Sequence, residues 1–367
     1  DLDNTPTYVC KNRNWIPNSG WPLQCNSLKF YYRNASNIIN LPSYDNFYNK
    51  YNIFSIIKEN ESLKKDKHFD FKCMQWANTP FKVSDYINNN NSKNLRILLN
   101  APVSKLIEKN HNDQVDYALI ITPNDKKIKV YSKFFVVAAG GIETTRLLFN
   151  SDKKNSYGIG NHFDILGRYF STHPKADLAI LKFNKSFVIN PPIFKDLILN
   201  NGRLRYGIGL NDYYQEKYRL LNHLIHLSPI YDFKSNYIYE IIFRKINHHN
   251  KLLDRDKFVN NFFHGFKSIS EELINRIFKR KSLVNKFICR GFLDQFPNSE
   301  NRIYRSNKKD FLNNNLININ WNFSQKDRNS VISFFNHLDY LFNKKNIGKF
   351  FYSNLEKYEN WPLVNIH

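Results

Sequence analysis

The spacing of apolar and polar residues divides the chain into strand-like and helix-like stretches. Between residues 95 and 140, the segments "LRILLNAPVSKLIEK", "VDYALIITP" and "KIKVYSKFFVVAAG" alternate or run apolar and are rich in β-branched and aromatic side chains. Such patterns are typical of strands bounded by turn residues. We therefore predict a β-meander here, with Pro102 interrupting its first segment.

Further strands are predicted downstream, in "KADLAILKF", "RYGIGL", "LIHLSPIYDF", "FICRGFLDQFP", "NRIYRS" and "LININWNF". Helical spacing predicts a helix capped by Ser27, a mostly helical region over 235–286, and an amphipathic helix over 324–344. Ser324 is the expected N-cap of that last helix, and the glycine after Ile347 its expected stop. The first helix should carry an apolar side made of Leu28, Tyr31, Tyr32, Ala35 and Ile38.

Residues 134–139 form an apolar run that enters an amphipathic stretch through Gly140 and Gly141. A near-continuous apolar run predicts a strand buried on both faces, as in a parallel sheet covered by helices. Ligands bind outside the carboxyl ends of such strands, where glycine allows close approach and a helix N-terminus offers free N–H groups. Thr144 and Thr145 add hydroxyls there. The alternative interpretation is a tight strand-to-helix connection without a ligand.

Composition narrows the class of protein only partly. No run of about 18 apolar residues occurs, so no membrane-spanning segment is predicted. A formal charge of +22 suggests a nucleic-acid or anionic-membrane partner, or simply an AT-rich coding sequence that enriches lysine. We favour the second interpretation because the lysines are scattered. The four cysteines are widely spaced, so no metal site is predicted; they are Cys10, Cys25, Cys73 and Cys289.

Several motifs, in the same order along the chain, resemble those of the glucose-methanol-choline (GMC) oxidoreductases. "VVAAGGIETTRLLFNS" and "GIGNHFDILGRYFSTHP" are similar to the family's Ala-Gly strand end, its Gly-x-Gly-Asn turn and its Gly-Arg segment ending in His-Pro. "SGWPLQCNSLKFYYRNA", "LLNAPVSKLI", "DQFPNSENRIYRS" and "ININWNFSQKDRNSV" resemble further family segments. The departures are Thr145 in place of a proline and Asn301 in place of a serine.

This resemblance implies a fold of mixed α/β class. It would comprise an incomplete FAD-binding, Rossmann-like domain and an α+β substrate domain with an antiparallel sheet and flanking helices. The expected divisions are 1–170 for the partial FAD domain with lid and linker segments, 171–350 for the substrate domain, and 351–367 for the start of a return segment.

The resemblance also implies the chemistry, an FAD-dependent oxidation of a CH–OH group in a small alcohol or sugar. Hydride would pass to the flavin while a histidine takes the hydroxyl proton. The expected catalytic residue is His367, or another histidine beyond it. The residues expected to bind the cofactor are Val103, Ala139, Gly140, Gly141 and Thr144. For His173 we favour a structural bond to a backbone carbonyl, and for Arg168 a structural ion pair or a carbonyl cap.

Two segments of the family are missing, the N-terminal Gly-x-Gly-x-x-Gly turn and the C-terminal catalytic histidine segment. We therefore expect this chain to be an internal fragment that by itself neither binds FAD tightly nor reduces dyes. The electron acceptor, the substrate and the cellular compartment remain open. The rival classes are a basic nucleic-acid-binding module, which would need lysines and aromatic residues clustered on one face, and a non-catalytic interaction protein. We expect no nucleic-acid partner.

Overall fold

A computed structural model describes residues 10–41, 69–79, 81–90, 94–109, 114–151, 157–188, 197–199, 202–230 and 283–352. This part of the chain is mixed α/β, with helices and three antiparallel sheets, which confirms the predicted fold class. Within these ranges, no helix combines the length and apolar character needed to cross a bilayer.

The helices and strands follow the chain in this order. The helices are α1 (Lys29–Ile38), α2 (Val83–Asn90), α3 (Gly140–Asn150), α4 (Asp212–Tyr218) and α5 (Gln325–Lys344). The strands are β1 (Phe69–Ala77), β2 (Val103–Glu108), β3 (Val115–Ile121), β4 (Lys127–Tyr131), β5 (Lys175–Val188), β6 (Leu197–Leu199), β7 (Gly202–Leu210), β8 (Leu224–Pro229), β9 (Leu283–Phe292), β10 (Arg302–Lys309), β11 (Asn315–Asn320) and β12 (Gly348–Tyr352).

The largest sheet has the order β1-β7-β8-β9-β5-β12, and β6 pairs with β7 beside this path. Alternate residues of its strands point to one face, which α5 covers with the apolar side of its 20 residues. Phe342 of α5 shows the packing best, because its ring meets those of Phe69, Phe183 and Phe350 on three different strands at 5.2 to 6.1 Å. Helix and sheet thus share one apolar core.

The start of α5 agrees with the prediction. The Ser324 hydroxyl accepts a hydrogen bond from the N–H of Asp327, and the Asp327 carboxylate accepts one from the N–H of Ser324. This reciprocal pair satisfies two N–H groups that the helix leaves without partners. The helix ends at Lys344 rather than at the glycine after Ile347, because Gly348 already begins β12.

Strand β12 lies at one edge of the large sheet, where it pairs with β5 alone among the described strands. The backbone N–H of its central residue, Phe350, donates a hydrogen bond of 3.0 Å to Oδ1 of Asp339 on α5. A side chain of the covering helix therefore satisfies a donor on the strand.

The predicted β-meander is confirmed as the three-stranded antiparallel sheet β2-β3-β4. Its first strand begins at Val103, directly after Pro102, and the segment over 95–102 contains no strand. Strands β10 and β11 form a separate hairpin, also in the predicted segments.

Three expectations about individual elements need correction or stay open. The helix after Ser27 forms, but Ser27 lies in a 3-10 turn, Cys25–Leu28, that precedes α1. Its apolar side is only partly buried, since Tyr31 is 66% exposed and Ile38 is 52% exposed. Strand β1 lies where no element was expected. The predicted helical region up to residue 282 falls outside the described residues.

The predicted division at residue 170 stays a prediction, and contacts cross it in both directions. Strand β1, from the first predicted domain, pairs along its length with β7 of the large sheet. The β10–β11 hairpin, from the second, packs against α3. The two parts of the chain are therefore joined by backbone pairing as well as by side chains.

Candidate functional site

A cavity of about 480 Å³ lies between the β2-β3-β4 sheet, the start of α3 and the loop after β10. Residues 135–139 line it, as do Val103, Ser104 and Leu106 of β2. Side chains of α3 and of residues 310–314 complete it. Its size lies within the range of ordinary small-molecule pockets.

The extended segment over 134–138 leads into α3 with no intervening loop. Gly140 makes this possible, because its φ of +79° is a left-handed conformation that side chains with a Cβ rarely adopt. A Cβ added at Gly140 or Gly141 would meet no atom within 4 Å. The space beside both glycines is therefore open, as a backbone approached by a ligand requires.

The N-terminus of α3 has no side-chain cap. Ala139 is the N-cap residue, and it supplies no side-chain hydrogen bond. The first N–H groups of a helix have no partner within the helix, and they carry a partial positive charge. Glu143, in the first turn, adds the only acidic side chain there. This end of α3 can accept an anionic or hydroxyl-bearing group.

The prediction that residues 134–139 form a buried strand is wrong. The segment is extended, but it forms no strand, and among the described residues its backbone makes no hydrogen bond to another backbone group. Phe134 is 84% exposed and Val136 is 89% exposed. An apolar run predicts burial only where neighbouring strands exist, and the described part of the chain places none beside it. The helix expected after the apolar run is confirmed, since α3 begins at Gly140.

One side of the cavity is lined by polar side chains that are joined by ion pairs and hydrogen bonds. The guanidinium of Arg146 makes ion pairs with Asp310 and, at 3.2 Å, with Glu143. The Asp310 carboxylate also accepts hydrogen bonds of 2.9 Å from the N–H groups of Leu312 and Asn314. Both Arg146 and Asp310 are mostly buried, with side-chain exposures of 20% and 16%. This pair fixes α3 against the loop that closes the cavity.

Amide side chains add a second connection between α3 and the β10–β11 hairpin. Asn150 donates to the carbonyl of Asn315 at 3.0 Å and accepts from the N–H of Asn315 at 2.9 Å. The guanidinium of Arg305 donates to the carbonyl of Phe149. The hydroxyl of Ser104 donates to Oδ1 of Asn314 at 2.9 Å and joins β2 to the same loop. The cavity therefore has a firmly held polar side.

The structure brings some of the predicted cofactor residues together. Val103 and Ala139, 36 positions apart in the chain, line the same cavity. Gly140 and Gly141 follow Ala139 at the start of α3 but do not line the cavity, and neither does Thr144, the fifth residue of that helix. His367 lies outside the described residues. The roles of all six remain predictions.

Sequence reasoning missed the polar side of this site. Its members are Ser104, Glu143, Arg146, Asn150, Asp310 and Asn314. Arg146 and Asp310 stand 164 positions apart, and each sits in a segment of ordinary polar composition. A pairing of that kind leaves no local signal in a single sequence, so only the packing of the hairpin on α3 reveals it.

The expected structural role of Arg168 is confirmed. Its guanidinium pairs with Asp164 and donates to the carbonyl of Ser299 at 3.3 Å. Hydrogen bonds from Arg168, and then from Arg302, lower the pKa of the Asp164 carboxyl. The loop that carries Arg168 is also tied by backbone bonds from Ile303 to Gly167 and from Phe170 to Asn301. The Gly-Arg segment thus docks the loop on β10.

His173 does not follow the favoured expectation. Its side chain is exposed, and among the described residues its ring makes no hydrogen bond to a backbone carbonyl. The described residues also contain no group of three or more His, Cys, Asp or Glu side chains placed to hold a metal ion.

Comparison with known proteins gives one partial similarity. Over 80 residues, the chain is 34% identical to the fructose dehydrogenase large subunit of Gluconobacter japonicus. The match covers 22% of this chain and 14% of that protein, so the chain corresponds to only a small part of its length. No protein-family model matches the chain.

Proposed function

We propose that this chain is part of an FAD-dependent oxidoreductase that oxidises a CH–OH group of a small alcohol or sugar. The observation that carries the proposal is that Val103 and Ala139 line the same cavity. This cavity lies directly beside the N-terminus of α3, which has no side-chain cap and begins with two glycines. The partial similarity to a dehydrogenase subunit supports the same class.

The residues at this site fit such a cofactor. A dinucleotide needs a backbone that it can approach closely, and the open space beside Gly140 and Gly141 provides one. It also carries phosphates and ribose hydroxyls, which the free N–H groups of α3 can bind. The apolar residues over 135–139 suit a flat ring system, and Val103, which lines the same cavity, would contact it as well.

FAD, when bound, supplies the hydride acceptor of the reaction. The chain's own residues do the remaining work. The ion pair of Arg146 with Asp310 holds α3 in place, so the N–H groups that would bind the cofactor keep their direction. The substrate hydroxyl proton needs a base with a pKa near neutral, and a histidine meets that need. His367 is our candidate for that base, through one of its ring nitrogens.

The test uses the protein expressed from its complete gene. Gly140→Val should lower both flavin content and sugar-dependent dye reduction, because a β-branched side chain disfavours the φ of +79° and fills the space at the backbone. Gly140→Asn is the matched control, since asparagine tolerates this φ. Flavin content follows from absorbance, and D-fructose is a suitable first substrate.

The variants separate two explanations. If Gly140→Asn keeps the fold but loses flavin, the side chain interferes with the cofactor rather than with the backbone. Normal flavin content and normal activity in Gly140→Val would contradict the placement of the cofactor. A wild-type protein without flavin and without dye reduction would contradict the oxidoreductase itself.

A second candidate function, nucleic-acid binding, rests on the outer face of the β2-β3-β4 sheet. There the rings of Tyr117 and Tyr131 lie 5.4 Å apart, and the ammonium of Lys129 lies 4.8 Å from the Tyr117 ring. Lys127 is exposed on the same face. Aromatic side chains beside lysines can stack bases and neutralise phosphates. Salt-dependent binding of a single-stranded oligonucleotide that Lys129→Glu weakens would support it, and no binding would dismiss it.

A further inference from the structure

The two faces of the large sheet differ at the edge that β12 forms. Leu181 and Phe350 point to the face that α5 covers, and both belong to the apolar core. Successive residues of a strand point to opposite faces, so Lys182 and Lys349 lie on the other face, together with Lys286 of β9, which is paired with Lys182. Lys182 and Lys349 are exposed, and Lys286 is half-buried. At this edge the second face of the sheet is therefore accessible to solvent.

Lys349, Lys182 and Lys286 form a row across three adjacent strands, which we call the lysine row. Lys349 is directly opposite Lys182, and Lys182 is directly opposite Lys286. Side chains directly opposite each other in an antiparallel sheet are close neighbours, and like charges in such pairs are destabilising. Among the described residues, neither Lys182 nor Lys349 makes an ion pair with a carboxylate. A lysine-rich composition does not by itself favour a row that repels itself, whereas a negatively charged partner on this face would.

An apolar row lies beside the lysine row on the same face. Phe351, Ile180 and Ile288 are directly opposite one another, two residues along their strands from the lysines. Phe351 is 48% exposed, and Ile180 is 37% exposed. The ammonium group of Lys349 lies 5.9 Å from the centre of the Phe351 ring. Positive charge and exposed hydrocarbon are therefore adjacent at this edge of the sheet.

Negative charge on these three strands is already neutralised. The sequences of β5, β9 and β12 contain one acidic residue, Asp177. Its carboxylate accepts hydrogen bonds of 2.8 and 3.0 Å from the guanidinium of Arg290, directly opposite on β9. The Arg290–Asp177 pair thus leaves the charge of the lysine row uncompensated by any acid of its own strands.

We propose that this edge of the large sheet binds the surface of an anionic membrane, with the lysine row at the headgroup phosphates and Phe351 and Ile180 entering the interface. Such binding combines burial of apolar area with attraction to anionic lipids, and the two rows supply one term each. An acidic protein would need directional contacts to fix its orientation. The two rows offer only hydrocarbon and compact charges on flexible stems, which suit a fluid surface better. This inference is independent of the proposed oxidoreductase.

The test is co-sedimentation of the protein expressed from its complete gene with vesicles of phosphatidylcholine and phosphatidylserine, compared with phosphatidylcholine alone. We expect binding to the mixed vesicles only, and its loss when salt rises from about 0.1 M to about 1 M, because salt screens the attraction. Each lysine near an anionic surface should strengthen binding about fivefold, so replacing the whole row by glutamine should weaken it about a hundredfold. Phe351→Ser should weaken it severalfold through the apolar term.

A matched triple variant controls for net charge. It replaces three lysines on or directly after α5, on the covered side of the sheet, by glutamine: Lys326, Lys344 and Lys345. Both triple variants lose the same charge, but this one should bind the mixed vesicles nearly as well as the wild type. Thermal unfolding checks the fold, and Lys182→Gln should be at least as stable as the wild type because it removes repulsion within the row.

Several outcomes would overturn the inference. Equal losses in the two triple variants would assign the binding to net charge alone, and undiminished binding without the lysine row would remove its basis. A wild-type protein that ignores the mixed vesicles but binds a single-stranded oligonucleotide through the row would make nucleic acid the partner instead. If the triple variant does not fold, Lys349→Gln at the exposed edge replaces it, with an expected loss of about fivefold. An unchanged affinity in that single variant would count against the proposal as well.

Discussion

Two apolar regions of this chain look alike in sequence and differ completely in the structure. The strands of the large sheet and the apolar side of α5 form a single core in which Phe334, Phe335 and Phe342 are at most 1% exposed. Residues 134–138 are as apolar as any of those strands, yet Phe134 and Val136 face solvent. Composition is therefore not what separates them. Burial of an apolar segment depends on what packs beside it. The helix α5 covers one face of the large sheet, whereas no described strand pairs with residues 134–138.

The largest expected effect comes from truncating the same residue type in both regions. Phe342→Ala should lower the free energy of unfolding by about 3–5 kcal/mol, because it leaves a cavity among rings from three strands. Phe134→Ala should cost about 0.5 kcal/mol or less. Urea denaturation of both variants measures the difference. Equal losses would mean that residues 134–138 are packed as tightly as the core.

The next largest loss of stability is expected from a substitution outside the large core, at Gly167. Gly167→Ala would place a Cβ 2.2 Å from the carbonyl oxygen of Ile303, at a φ of +80°. We expect a loss of about 3 kcal/mol from overpacking and backbone strain together. Gly160→Ala is the control, with a φ of +69° and no atom within 4 Å, and it should lose about 1 kcal/mol. A Gly167→Ala variant as stable as Gly160→Ala would show that the loop can leave β10 freely.

Low pH should lower the free energy of unfolding through protonation of one buried residue, His223. Burial lowers the pKa of His223 from 6.5 to about 3, and Nδ1 already accepts the N–H of Asp294, so the ring stays neutral when folded. Between those pH values the unfolded chain binds a proton that the folded chain does not. Stability is therefore complete above the unfolded pKa and declines as pH falls below it.

Between pH 6 and 4.5 this effect should remove about 2 kcal/mol, at up to about 1.4 kcal/mol per pH unit. His223→Gln should be less stable at pH 7 but should show a shallower decline. His162→Gln, at an exposed position, should leave the pH profile as it is. Thermal unfolding measured across this pH range gives the loss of stability. If His223→Gln loses stability with falling pH as steeply as the wild type, another group is responsible for the acid sensitivity.

The smallest effects concern ion pairs. The Arg290–Asp177 pair on the large sheet is bidentate but nearly half exposed, so a double-mutant cycle should give a coupling of about 0.5 kcal/mol. The mostly buried Arg146–Asp310 pair at the cavity should give about 1–2 kcal/mol. The cycles use Arg→Met and Asp→Asn. The reverse ranking would show that solvent reaches the cavity more freely than the geometry indicates.

Local sequence patterns predicted much of the fold, because the periods of helices and strands can be read from neighbouring residues. The capping serine of α5 and the alternation of β3, β4 and β10 can be read within a window of ten residues. Pro102 likewise marked the start of β2. These features depend on residue types and spacings within a short stretch of the chain.

The polar side of the cavity could not be predicted, because distant segments create it. Asp310 meets Arg146 where the β10–β11 hairpin packs against α3. The failed burial of residues 134–139 has the same cause. The sequence shows that residues 134–139 are apolar, but their burial depends on which other segments pack against them. Val103 and Ala139 were named from the resemblance, and their meeting in one cavity could not have come from spacing.

The bond from the Phe350 N–H to Asp339 has a consequence for how the molecule ends at β12. An edge strand offers its backbone donors to any extended chain that approaches, which is a common route to self-association and fibril growth. At the middle of β12 that position is already taken by a carboxylate fixed on α5. An incoming strand would have to displace the carboxylate and leave its negative charge facing a new backbone. Asp339 therefore opposes the pairing of a further strand at this edge of the described sheet, whereas an apolar residue at position 339 would leave the Phe350 N–H group free to pair.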